Sequence, residues 1–160
     1  MNAPPIPLRH VIATIAYRGA KALRGAPPTF ADFKASPTTR TPVEIVAHLG
    51  DLMQCIVWFS QGERKWQDTP PLPWDQEVAR FHSILEALDR QLAAGVPEGL
   101  AFDRAFQGPI ADALTHIGQI NLLRRMAGSP VKGEAYYYAR VEIGRVGADQ
   151  AKPDPKYEFD

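Results

Sequence analysis

One cysteine, Cys55, stands in the 160-residue chain, so no disulfide can form within it. That usage fits a reducing compartment, and Cys55 reads as a small core residue. Net charge is missing as well. Lys plus Arg (18) balances Asp plus Glu (18), which removes the cationic footprint of sequence-independent nucleic-acid binding. Hydrophobic residues reach 45%, yet they never run uninterrupted for the ~18 positions of a membrane span. Residues 1–7 lack the basic segment and apolar run of a secretory signal, and with the lone cysteine this points to the cytoplasm. No glycine-rich phosphate loop and no serine or cysteine nucleophile motif is present. Internal repeats and low-complexity tracts are absent too.

What remains is helical. Over residues 8–23 the apolar side chains Val11, Ile12, Ile15, Ala16 and Leu23 fall near helical spacing. Gly25, Pro27 and Pro28 stop that helix, and residues 29–39 form a loop pinned by Phe30 and Phe33. A second helix starts at Thr41, where Pro42 suits the first helical position and Glu44 completes a capping box. It runs to about residue 62 with Ile45, Val46, Leu49, Leu52, Met53, Ile56 and Val57 on one broad stripe. Residues 61–73 form a Pro- and Gly-bearing loop anchored by Trp66. A third helix begins at Trp74 or Asp75, carries Val78, Phe81, Ile84, Leu85, Leu88 and Leu92, and ends at Gly95 and Pro97. The fourth begins near Pro109, or at a short turn around Asp103, and stops at Gly128. No alternating strand pattern competes. The length suits one domain over 1–160, an all-α four-helix bundle with an extended C-terminal tail from Val131 that lies on the bundle and whose final residues are expected to be disordered.

The fourth helix carries the chemistry. Asp112 and His116 are four residues apart, which stacks them on one helix face, one turn above the other. A carboxylate and an imidazole could then converge on one ion, but two ligands do not make a site. Asp112 also has a plainer reason to be there, since a negative charge suits the first turn of a helix. His48 lies on the edge of the second helix's stripe, where a histidine is ordinarily bonded to a neighbour. Asp51, three residues on, either orients His48 or faces water. His82 sits beside the third helix's stripe as a partly exposed residue or as part of a pocket wall. Gln119 is placed to bond a ligand or a neighbouring backbone. Arg124 and Arg125 either neutralise an acidic substrate or favour the helix C-terminus.

The segment Glu44-Ile-Val-Ala-His48-Leu-Gly-Asp51, followed by His116-Ile-Gly118-Gln119 and Leu123-Arg124-Arg125-Met-Ala-Gly128, resembles the DinB/YfiT-like superfamily over about residues 41–128. Asp112 stands where that family usually has its middle histidine. The resemblance implies an up-down-down-up four-helix bundle, often a homodimer, with His48, Asp112 and His116 binding a divalent metal. Its characterised members include mycothiol-dependent maleylpyruvate isomerase and other thiol-dependent transferases. A carboxylate oxygen is an adequate ligand for zinc, iron, manganese or nickel. Two histidines and one carboxylate serve both iron oxygenases and zinc hydrolases, so the ligands alone do not choose a reaction.

The mechanism implied is a metal-activated thiolate, from a low-molecular-weight thiol, attacking a small electrophilic substrate held in the apolar mouth of the bundle. Asp51, His82, Gln119 and Arg124 are the candidate pocket and supporting residues. The competing expectation is a non-enzymatic dimeric bundle that binds a ligand or partner around a degenerate site.

Overall fold

A computed structural model describes residues 7–160; residues 1–6, most of the stretch without a signal-peptide pattern, lie outside it. The chain is mostly helical. Four long helices, α1 (Leu8–Leu23), α2 (Pro42–Ser60), α3 (Trp74–Ala93) and α5 (Ala111–Met126), account for the expected segments, and α4 (Phe102–Ala105) is a single turn before the last of them. α1 and α2 each pack against both α3 and α5. Their buried side chains form one apolar cluster around Ile12, Leu49, Met53, Phe81, Leu85 and Ile117.

Local chemistry explains each boundary. Pro7 precedes α1, and Arg24 turns extended before Gly25 takes φ 65° and two prolines follow, so the helix cannot continue. The start of α2 is the expected capping box: the Thr41 hydroxyl accepts from the Glu44 amide, and the Glu44 carboxylate accepts from the Thr41 amide at 2.6 Å. α2 is long and apolar enough to cross a membrane by length and composition. Its Ile45, Val46, Leu49, Met53 and Ile56 are instead turned into the core. α5 ends in a Schellman motif. Gly128 sits at φ 73°, with the Ser129 amide on the Arg124 carbonyl and the Gly128 amide on the Arg125 carbonyl.

Close helix packing depends on small residues at two crossings. A methyl group on Gly19 would meet the Phe81 ring at 2.9 Å, and one on Gly50 would meet the Arg80 guanidinium at 2.8 Å. At the second crossing Arg80 donates to the Ala47 carbonyl at 2.7 Å and to Asp51 at 3.1 Å, tying α3 to α2.

The tail lies on the bundle as expected, but its final residues are paired in a strand rather than disordered. Gly133–Glu134 (β1) pairs antiparallel with Glu158–Phe159 (β2), a ladder too short to leave an alternating pattern in the sequence. Glu134 is buried against α1, accepting from the Tyr17 hydroxyl at 2.7 Å and from Lys21 at 2.8 Å. Lys21 also donates to Glu158 at 3.0 Å, and the Arg18 guanidinium lies 3.9 Å over the Tyr136 ring. These contacts hold both ends of the tail to one face of α1.

Candidate metal centre

The break before α5 positions the candidate ligands. Residues Phe106–Ile110 form a wide π-type turn in which Gly108 leaves helical geometry (φ −99°, ψ −105°) and Pro109 follows. Pro109 has no amide hydrogen to give a continuous helix. The chain therefore restarts at Ala111, putting Asp112 in the first turn of α5 with His116 one turn further on.

His48 reaches them from α2. Its Nε2 lies 3.2 Å from Asp112 Oδ2, the His48 and His116 ring centroids are 4.7 Å apart, and His116 Nδ1 lies 3.2 Å from Asp112 Oδ1. One candidate ligand atom from each of the three residues lies within 4.8 Å of the other two. The cluster could hold a metal ion.

Protonation supports that fit. His116 Nδ1 is 2.9 Å from the Asp112 carbonyl; a carbonyl only accepts, so Nδ1 carries the hydrogen and Nε2 keeps the free lone pair. Burial of the His48 ring holds its pKa below the ordinary imidazole range, and the bond to Asp112 only partly offsets this. His48 is therefore neutral at pH 7, as a ligand must be. Asp112 is the solvent-facing member, its side chain 46% exposed against 14% for His48 and 12% for His116.

The cluster opens onto a hollow of about 680 Å³ lined by Leu52, Cys55, Phe59, Trp66 and Pro109 as well as His48 and Asp112. The Trp66 ring stands edge-on to His48 at 5.5 Å. Trp66 thus anchors its loop beside the site and remains 48% exposed. Cys55 and Phe59 had a legible signal: with His48 and Leu52 they follow a 4-3-4 spacing, which stacks them along one face of α2. Burial raises the Cys55 thiol pKa, so the residue keeps its small apolar character while facing the same hollow.

The remaining candidate residues are placed elsewhere. Asp51 does not orient His48. Its carboxylate is buried and accepts from the Thr69 amide at 2.7 Å, the Thr69 hydroxyl at 2.6 Å and Arg80 at 3.1 Å, fastening the loop that carries Trp66. His82 is buried rather than partly exposed, with Nδ1 3.2 Å from the Val146 carbonyl, and it lines a separate cavity with Trp74 and Ala148. Gln119 is exposed and lies outside the hollow. Arg124 is buried and cannot meet a substrate in the hollow: it donates to the carbonyls of Ala22 (3.1 Å), Arg24 (3.1 Å), Gly25 (3.3 Å) and Ser129 (2.7 Å). It serves the unpaired carbonyls at the end of α1.

No protein-family model, curated protein or solved structure matches this chain.

Proposed function

We propose that His48, Asp112 and His116 jointly bind one divalent metal ion in a DinB-like, up-down-down-up four-helix bundle, and that the chain is a metal-dependent enzyme of a homodimeric, cytoplasmic type. The observation that carries this reading is the convergence of three ligand-type side chains from two helices at the edge of an apolar hollow. Zinc, nickel, iron and manganese all accept this donor set.

Bound there, an ion with three protein ligands would retain positions for water or a thiolate and lower the pKa of that group. The chain's own residues supply the rest. The Asp112 backbone carbonyl fixes the His116 tautomer, and partial burial favours the neutral form of the His48 ring. Leu52, Phe59 and Trp66 give the hollow an apolar wall against which a small electrophile could rest. Transfer of a low-molecular-weight thiol to that electrophile is the reaction class this supports best.

Metal content after purification without added metal tests the reading first. Stoichiometric metal, or its recovery on reconstitution, supports it; sub-stoichiometric metal that does not respond to reconstitution favours a non-enzymatic binding bundle. Loaded protein incubated with a thiol and a panel of small electrophiles then tests the chemistry. Sedimentation at micromolar concentration tests the dimer, and a strictly monomeric species overturns that part.

A further inference from the structure

The hollow at His48 and Asp112 is bounded on one side by Phe59 and Trp66. A second hollow, of about 750 Å³, lies on the other side of Phe59 and Trp66, which line both. Its character is different. Arg64 and Lys65 from the loop after α2, and Arg104 from α4, border it together with the apolar Leu100 and Ala105. Glu63 is the one acidic residue in that wall, and it is paired with Lys65. Among the described residues, no acidic group pairs with Arg64 or Arg104 within this wall, and both side chains belong to exposed residues.

We propose that the two hollows form one elongated ligand site, and that the ligand is a small molecule with a metal-binding donor at one end and an oxyanion, carboxylate or phosphate, at the other. This rests on the metal-site reading above. Two forked guanidinium groups flanking an apolar floor suit an oxyanion, which accepts paired hydrogen bonds from each fork. Phe59 and Trp66, which line both hollows, give the stretch between the ends an apolar lining that suits an apolar or planar middle. A chain with no net charge gives no general attraction for anions, so selectivity must come from this local pair. The anion-binding role the sequence offered to Arg124 falls instead to Arg64 and Arg104.

The test uses ω-mercaptoalkanoates of increasing chain length as probes, with ω-mercaptoalkanols, alkanoates and alkyl phosphates of matching length as controls. Binding to the zinc-loaded and metal-free full chain is followed by calorimetry. In loaded protein one length of mercaptoalkanoate should bind at least about tenfold tighter than the matching alkanol or alkanoate, the scale of one charge-assisted hydrogen bond. In metal-free protein the alkanoate or alkyl phosphate should still bind, and the better of the two identifies the oxyanion. The double variant Arg64→Ala/Arg104→Ala should lose that binding about tenfold while its zinc affinity is unchanged. Anion binding that is indifferent to the double variant, or absent at every length, overturns the inference and leaves the metal site standing. Arginine-dependent anion binding in a protein that takes up no zinc would overturn the metal-site reading, and with it the claim of a single two-ended site.

Discussion

His48 Nε2 and Asp112 Oδ2 lie 3.2 Å apart although 64 residues separate them in the chain. The bond joins α2 to the first turn of α5, and a metal held by both side chains would take its place. Removing His48 or His116 should therefore weaken zinc binding by more than about 100-fold, beyond the usual effect of losing a residue that merely supports a ligand. Asp112→His should retain binding, since it restores three imidazoles. Isothermal titration of the variants decides this; parent-like affinity in both His48→Ala and His116→Ala would remove the site.

Acid should weaken metal binding for the same reason. Protons compete with the ion for each imidazole. Because burial lowers the His48 pKa, zinc affinity should fall as pH drops below the ordinary histidine value of about 6.5. Competition titrations at several pH values measure the slope, and a flat profile from neutral to acidic pH would argue for ligation without the two histidines.

His82 gives the fold its own acid sensitivity. Burial holds its pKa below the ordinary imidazole value, against a weaker opposite pull from the Val146 carbonyl. The unfolded chain then binds the proton first as pH falls, so the stabilisation is present above about pH 6.5 and declines below it. His82→Gln keeps a donor for Val146 and removes the titration. Thermal melting of metal-free protein should show a shallower loss on acidification in this variant, and an unchanged acid limb would count against the assignment.

Arg124 should matter for stability and not for ligands. It is a buried cation bonded to main-chain carbonyls of α1 and of the α5 terminus, and each such charge-assisted bond is costly to lose. Arg124→Met should destabilise the protein by on the order of 3 kcal/mol in urea denaturation. Zinc affinity of the folded variant should match the parent. A stable variant with altered ligand affinity would restore the substrate-facing role.

The tail depends on one buried cluster. Lys21 is shared by Glu134 and Glu158, with the Glu134 side chain 2% exposed. Lys21→Met leaves that carboxylate buried with only the Tyr17 hydroxyl, a change of about 3 kcal/mol. Chemical denaturation should register the loss, and limited proteolysis should cut residues 131–160 sooner than in the parent. Parent-like protection of the tail would show that other contacts hold it.

The sequence by itself determined the helices and two of the candidate ligands. Helical spacing, the Thr41–Glu44 capping box and the Pro and Gly stops are local interactions within a few residues, so α1, α2 and α3 begin where the pattern places them. Asp112 and His116 were legible because a four-residue step on a helix has only one geometry. The tertiary structure alone decided which distant groups meet. Whether Asp51 faces His48 or Arg80, whether Arg124 faces a hollow or the end of α1, and whether His82 is buried all turn on how whole helices are rotated and crossed. The same holds for the tail, where a two-residue ladder and a buried Glu134 fix how it lies on α1 and order the final residues expected to be disordered. Charge and hydrogen-bonding capacity are written in the residue type; the partner that satisfies them is chosen by packing, because a buried polar group must be paired wherever the fold happens to place it.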